Sequence, residues 1–277
     1  MEQWHRQFIR CLFHYSASRL RIEEAFVAKH QHIPQFLYKY REFNAQHLDA
    51  LSQDILYMSS PDRFNDLFDT TIFFDQSRFF IEDLSVGECI RQAKALDSER
   101  QTETRQRQVP IKKPIRYDDR MYQATAKILV NEPNHVRKTP TSFVSEGMVN
   151  VGEDLRNCMN KFFRTEYSVL SLSADPASIL MWSHYSGGHQ GFCIAYDFKA
   201  LAPDDLRRRM CYPVLYREKK TDATRYLADT GGADFNSLFG LYMCLMKSEA
   251  WSYEQEWRII YPIGREHANR KLEMPKP

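Results

Sequence analysis

The chain carries the run WSYEQEWRII at residues 251–260, where apolar and aromatic residues alternate with charged ones as in a β-strand. Because side chains alternate between the two faces of a strand, Glu254, Glu256 and Arg258 are predicted to share one face. The opposite face then carries residues that favour burial, namely Tyr253, Trp257 and Ile259. Two carboxylates one strand step apart repel each other unless a cation or a sugar-like group lies beside them. We therefore predict that this strand carries the chemistry of the chain.

Further strands are predicted over residues 36–41, 55–59, 71–74, 168–172, 191–196 and 212–216. Helices are predicted over residues 1–30, over 45–53 after an Asn44 N-cap with Leu48 and Leu51 facing the core, over 175–182 with proline at the first helical position, and over 234–249. Strands at both ends of the sequence with helices between them indicate an α+β fold with a mixed or antiparallel sheet.

The chain divides into an N-terminal helical extension at residues 1–33 and one domain over residues 34–277. Residues 85–165 are dense in charge and weak in strand patterns, so they are interpreted as a helical insertion in that domain. The N-terminal helix would place its apolar residues on one face, either to pack on the domain or to bind a partner: Trp4, Phe8, Leu12, Tyr15 and Leu20.

The composition argues against several functional classes. The net charge is +2 and the mean hydropathy −0.56, which excludes a strongly basic nucleic-acid coat. No stretch approaches the roughly 20 apolar residues of a membrane span, and the N-terminal residues do not resemble a signal peptide, so a cytoplasmic protein without membrane contact is expected. The six cysteines form no C-x-x-C pair, and we expect free thiols and no metal site.

Two local motifs allow both a structural and a functional interpretation. Phe64, Asn65 and Asp66 form either an Asx-type turn after the second strand or the brace of a ligand pocket. His184 and Tyr185 either end a short helix before the glycine-rich turn that follows or line a ligand cleft. Both alternatives remain open at this point.

The glutamate pair also has a purely structural interpretation, because Glu254 and Glu256 are natural cross-strand partners for Lys39, Arg41 or Arg258 on a solvated sheet face. The functional interpretation gains weight from the order of three features along the chain. A strand bearing Lys39 and Arg41 comes first, a strand ending in Ser59 and Ser60 follows, and the paired glutamates come late.

The sequence resembles a widespread bacterial family of unknown-function domains over residues 34 to about 262, excluding the helical insertion. The matching segments are LYKYR (37–41), LYMSSPDRFND (56–66), MWSHY (181–185), HQGFCI (189–194) and WSYEQEWR (251–258). That family is in turn similar to the ADP-ribosyltransferase fold, notably its bacterial toxin and phage-defence members. The resemblance thus implies an ADP-ribosyltransferase-like sheet and NAD as the substrate.

The same resemblance assigns roles to individual positions. Glu256, or alternatively Glu254, stands where the catalytic glutamate binds the nicotinamide-ribose 2′-hydroxyl, and Ser59 is counted with them as catalytic. Lys39 stands where a His or Arg holds the adenosine side of NAD, and Ser60 lies at the nicotinamide pocket. The full set of implied NAD-binding residues is Tyr38, Lys39, Tyr40, Arg41, Ser60, Phe64, Asn65, Asp66, His184 and Tyr185.

The expected function is therefore transfer of ADP-ribose from NAD to a protein or nucleic-acid acceptor, by a toxin or defence effector whose antidote or partner would bind the N-terminal helix. One alternative is a regulatory module that binds a nucleotide or a partner without turnover. Another is a toxin that targets nucleic acid through its basic runs, including Arg105 to Arg116 and Arg207 to Arg209.

Overall fold

The structure is a computed structural model that describes residues 2–66, 69–74, 156–228, 234–262 and 271–275. Most of the predicted helical insertion at 85–165 lies outside these residues, and its described part is helical over 156–165. In the part of the chain that is described, every helix is too short or too polar to cross a lipid bilayer.

The described strands are β1 (Phe36–Arg41), β2 (Ile55–Tyr57), β3 (Ile72–Phe73), β4 (Ser168–Ser173), β5 (Phe192–Asp197), β6 (Cys211–Pro213), β7 (Leu215–Arg217), β8 (Thr221–Asp222), β9 (Met246–Ser248), β10 (Glu256–Tyr261) and β11 (Lys271–Glu273). The described α-helices are α1 (Gln3–Leu12), α2 (Ile22–His32), α3 (Ala45–Ser52), α4 (156–165), α5 (Ile179–Tyr185), α6 (Leu206–Arg209), α7 (Thr224–Ala228) and α8 (Phe239–Met243). Short 3₁₀ helices occupy Ala17–Arg19, Pro61–Arg63 and Glu249–Glu254.

The centre of the fold is a five-stranded sheet in the order β5-β1-β4-β10-β6, with antiparallel neighbours throughout. Both faces of this sheet are covered, because Val169 and Ile260 belong to one apolar cluster while Leu172 and Trp257 belong to another. Parallel pairing appears only in two small sheets among the described strands, β3 with β8 and β7 with β9. The protein is therefore an α+β fold built on an antiparallel sheet, as the sequence predicts.

The N-terminal segment was predicted as one helix, and this prediction is wrong. Two helices, α1 and α2, are separated by the 3₁₀ turn Ala17–Arg19. The chain leaves the helix because Ser16 pairs with Phe235 as a β-bridge, and the Asp234 carboxylate accepts hydrogen bonds from Ser16 and from the Ser18 amide. Contacts with a distant segment thus override the local helical pattern.

Three other boundaries differ from the predictions. The segment 212–216 is two strands rather than one, because the Val214 amide still bonds the Glu256 carbonyl of the main sheet whereas β7, from Leu215 on, pairs with β9. The long helix expected at 234–249 is reduced to the five residues of α8, after which the chain extends into β9. The helix around residues 175–182 begins at Ile179 with Ser178 as its N-cap, so its proline precedes the first helical position.

Two details of the early segments also differ. Asn44 caps α3 as predicted, but Leu48 is 45% exposed and Ala50 is the buried residue of that helix. The second strand ends at Tyr57 and pairs with β11, outside the main sheet.

A buried lysine joins α2 to the segment that precedes β6. Lys29 is fully buried, and its ammonium donates hydrogen bonds to the carbonyls of Arg208 and Arg209 while lying 4.5 Å from the ring centre of Tyr212. Burial, reinforced by the two neighbouring arginines, lowers the pKa of Lys29 to about 7.

This burial predicts a pH-dependent effect for Lys29→Met. Above pH 7 the unfolded chain binds a proton that folded Lys29 has largely lost, so this group makes the free energy of unfolding rise by about 1.4 kcal/mol per pH unit. Urea denaturation at pH 7.5 and 8.5 should show Lys29→Met losing this rise, whereas exposed Lys199→Met should follow the wild type. A pH-independent difference between wild type and Lys29→Met would refute the lowered pKa.

In the turn between α5 and β5, the backbone at Gly191 lies very close to the backbone of β1. A β-carbon at Gly191 would lie 2.1 Å from the carbonyl oxygen of Arg41 on β1. Gly188 has a φ of +65°, but a β-carbon there would meet no atom within 4 Å.

We predict that Gly191→Ala destabilises the protein by about 2–3 kcal/mol, because β1 and β5 must separate to admit the methyl group. Gly188→Ala should cost only about 1 kcal/mol for its left-handed backbone. Denaturant unfolding of both variants is the measurement, and equal destabilisation would contradict the close approach of the two strands.

Candidate functional site

A single buried lysine binds both glutamates of the candidate site. Lys247, at the centre of β9, donates hydrogen bonds to Glu254 and, at 2.9 Å, to Oε2 of Glu256. All three side chains are buried. One ammonium thus offsets the repulsion that would otherwise separate two carboxylates in the protein interior.

The route by which the glutamates meet differs from the sequence prediction. Glu254 is the last residue of the 3₁₀ helix Glu249–Glu254, and β10 begins only at Glu256. The residue between them, Gln255, adopts a left-handed conformation with φ of 43°. A tight turn, rather than strand alternation, therefore directs both carboxylates to Lys247.

A second cation holds Glu256 from the other side. The Arg258 Nε donates to Oε1 of Glu256 at 2.8 Å, and the two terminal nitrogens bind Asp69 at 2.8 and 2.5 Å. Arg258 also donates to the Cys244 carbonyl and lies 4.9 Å from the ring centre of Phe64. A guanidinium suits these contacts, because its planar set of N–H donors can bind two carboxylates in fixed directions.

The two glutamates differ in their protonation behaviour. Burial raises the pKa of Glu254, and the neighbouring charge of Glu256 adds to the effect. Burial also opposes ionisation of Glu256, but Arg258, Lys247 and a hydrogen bond from Ser171 together hold its pKa well below the usual range. Paired carboxylates with opposite shifts are characteristic of acid–base sites.

Polar side chains from two sequence motifs lie around Glu254. The Tyr185 hydroxyl donates to Oε1 of Glu254 at 2.7 Å and accepts a hydrogen bond from Asn65 at 3.4 Å. Asp66 accepts a hydrogen bond from the Ser248 amide at 3.1 Å, and His184 lies 3.0 Å from the Tyr253 hydroxyl. The motifs containing Phe64 and His184 thus surround the carboxylates.

The structural interpretation offered Lys39, Arg41 or Arg258 as cationic partners of the glutamates, and the structure gives Lys39 a different partner. The β1 register sets Lys39 opposite Ile194 on β5, and the Lys39 ammonium donates at 2.7 Å to the Ser171 carbonyl. Burial, with the nearby charge of Arg41, lowers the pKa of Lys39 to about 7, and the glutamates offset only part of this effect. Arg258, which was among the expected partners, and Lys247, which was not, are the direct cationic partners of the glutamates.

Ser59, Ser60 and Tyr40, in or near the early strands, make hydrogen bonds with backbone groups. Ser59 exchanges two 2.8 Å backbone hydrogen bonds with Val169, and the buried Ser60 hydroxyl donates to the Arg164 carbonyl at 2.7 Å. Tyr40 donates to the Asp175 carbonyl at 2.6 Å, and Tyr38 is half-buried opposite Ser173. Among the contacts of the described residues, none of these side chains hydrogen-bonds to Glu254 or Glu256, and Ser59 pairs with Val169, which lies opposite Ile260 rather than Glu256.

Sequence reasoning missed Lys247 and Asp69. Lys247 follows the apolar run FGLYMCLM, which favours a helix and conceals a strand lysine. A charged residue directly after an uninterrupted run of apolar or small residues is the signal that could have identified it. Asp69 lies shortly beyond Asp66, just outside the motif that was singled out.

Two other expectations concern metals and nucleic acid. Within the described residues, no three His, Cys, Asp or Glu side chains are grouped to hold a metal ion. In the basic run of α6, Arg207 is paired with Asp205 at 2.6 Å and Arg208 donates to the Leu201 carbonyl at 2.7 Å. The run Arg105 to Arg116 lies outside the described residues.

The charge network predicts a large effect for Arg258→Met. Removal of this cation leaves Asp69 and Glu256 buried without their shared partner, which should cost about 3–5 kcal/mol of unfolding free energy. Arg21→Gln is the matched control, because Arg21 pairs with Glu24 while both side chains are more than half exposed, and should cost less than about 1 kcal/mol. Similar small losses of unfolding free energy for the two variants in chemical denaturation would show that Asp69 and Glu256 do not depend on Arg258 for compensation.

Most residues of the charge network around Lys247 and Arg258 lie in a segment that matches a known family model. Residues 181–259 match the family model described as "Protein of unknown function (DUF2971)". No curated protein and no solved structure matches the chain. The matched segment contains Tyr185, Lys247, Glu254, Glu256 and Arg258, so the candidate site falls largely within the part of the chain that is similar to an unknown-function domain family.

Proposed function

We propose that the protein is an NAD-dependent ADP-ribosyltransferase. The observation that carries this proposal is the pair Glu254 and Glu256, which share Lys247 and have pKa values shifted in opposite directions. Cleavage of a glycosidic bond develops positive charge on the sugar, and a fixed carboxylate beside that charge lowers the barrier.

The two carboxylates take different roles in this proposal. Glu256 is held by Lys247 and Arg258 and supplies a permanent negative charge. The Glu254 oxygens are bound by Tyr185 and by Lys247, and each retains a lone pair that can accept a further hydrogen bond. Glu254 is thus the carboxylate that receives the ribose hydroxyl, whereas the sequence resemblance favoured Glu256.

The reaction requires only NAD and an acceptor nucleophile. The bond between the nicotinamide nitrogen and ribose C1′ breaks, and neutral nicotinamide leaves with the electron pair. The acceptor nucleophile forms a new bond to C1′, and its proton passes to a carboxylate or to water. Aromatic rings near Glu254 suit a planar nicotinamide, because Tyr253 lies 6.0 Å from Trp251 and Tyr185 bonds the carboxylate itself.

The sequence resemblance to toxin and phage-defence members of the ADP-ribosyltransferase fold suggests where such an enzyme would act. The protein would then be a cytoplasmic bacterial toxin or phage-defence effector that modifies a protein or nucleic-acid acceptor. An antidote or partner protein would bind the surface formed by α1 and α2.

We predict that purified protein releases nicotinamide from NAD and that Glu254→Gln slows this release by about 10²–10³. The substitution keeps the shape of the side chain and removes its charge. Glu23→Gln, on the exposed side of α2, is the control and should retain full activity. If Glu254→Gln released nicotinamide as fast as the wild type, Glu254 would have no catalytic role.

A binding module without turnover is the second candidate function. It is favoured by the low exposure of the pair, 3% for Glu254 and 4% for Glu256, together with the two cations already bound to Glu256. Calorimetry with NAD separates the two functions: heat of binding without nicotinamide release supports the module, whereas release supports the transferase.

A further inference from the structure

A cavity of about 420 Å³ lies beside the candidate site, between β7, β8 and the 3₁₀ helix Glu249–Glu254. Its size falls within the range of small-molecule binding sites. The lining residues are Tyr216, Arg217, Glu218, Lys219, Lys220, Thr221, Tyr242 and Glu249.

The lining combines three kinds of chemistry. Three cations, Arg217, Lys219 and Lys220, outnumber the two carboxylates by one charge. The two tyrosines supply aromatic surface. An anionic ligand is favoured by the excess of positive charge, and the carboxylates favour a ligand that also donates hydrogen bonds.

Both the backbone and the side chain of Arg217 are fixed by contacts with neighbouring residues. Its backbone is fixed by the parallel pairing of β7 with β9, where it lies opposite Ser248. Its side chain is half-buried and hydrogen-bonds Tyr242. A guanidinium held in this way presents its remaining donors in a planar fork that matches phosphate oxygens.

We propose that this cavity binds a nucleoside diphosphate. The phosphates lie against Arg217 and Lys219, the ribose hydroxyls donate to Glu249, and the base lies against a tyrosine ring. Bare phosphate alone satisfies only the cations, because Glu218 and Glu249 repel it. The sugar hydroxyls give those carboxylates partners and so make the nucleoside part of the ligand favourable.

The cavity is physically joined to the glutamate cluster. The Tyr216 hydroxyl, on the cavity wall, accepts a hydrogen bond of 2.8 Å from the Glu256 amide. A ligand in the cavity therefore lies next to the strand end that carries the carboxylates. The proposal nevertheless stands without NAD turnover, because ADP contains no nicotinamide–ribose bond and its binding is measured separately from nicotinamide release.

Calorimetry with ADP and with inorganic pyrophosphate at low salt tests the proposal. We expect ADP to bind at least about tenfold more tightly than pyrophosphate and to weaken steeply as salt is added. Lys219→Gln should weaken both ligands about tenfold, since it removes a charge from the wall. Glu249→Gln should weaken ADP and leave pyrophosphate unchanged or tighter.

Lys199→Gln is the matched control, because Lys199 is exposed and follows β5 at the opposite edge of the main sheet. It changes the net charge equally and should leave both affinities unchanged. Absence of ADP binding, ADP binding no tighter than pyrophosphate, or equal losses in Lys199→Gln and Lys219→Gln would each overturn the assignment.

Discussion

Lys247 lies between two buried carboxylates, and much of the surrounding structure is required to bring these three groups together. The ammonium comes from β9, Glu254 from the end of a 3₁₀ helix and Glu256 from the start of β10. Arg258 extends the same network to Asp69, which belongs to a segment far earlier in the chain. Buried charges are costly unless each is paired and hydrogen-bonded. The network therefore constrains how the small parallel pair β7–β9 and the loop after β2 dock on the main sheet.

A charged network is a poor way to stabilise a fold, since apolar side chains of similar volume often stabilise it as well or better. Its position beside polar side chains such as Tyr185 and Asn65 is compatible with the proposed role in catalysis. The same strand end borders the basic cavity through Tyr216. The proposed ligand of the cavity would lie close to the carboxylate pair, so the two proposals are compatible, and each can be tested separately.

The sequence predicts those elements that are determined by local patterns. The strands β1, β4, β5 and β10 follow from alternation, and α3 follows from its Asn44 cap. Features that depend on distant partners are not predicted in this way. The break between α1 and α2 comes from Asp234, which lies 218 positions beyond Ser16, and β9 exists as a strand because it pairs with β7. The paired carboxylates also predict a cation or a sugar-like group beside them, but Lys247 directly follows a run that favours a helix and so is not identified as that cation.

Carboxyl ¹³C NMR titration of glutamate-labelled protein tests the central claim most directly, with Glu254→Gln and Glu256→Gln used to assign the two signals. We predict that Glu254 titrates above the usual glutamate pKa of about 4.3, since burial and Glu256 raise its pKa. Glu256 should remain ionised to well below that value, because its two cations lower its pKa. Two signals that titrate together near the ordinary pKa would show that the carboxylates are solvated and that Lys247 does not join them.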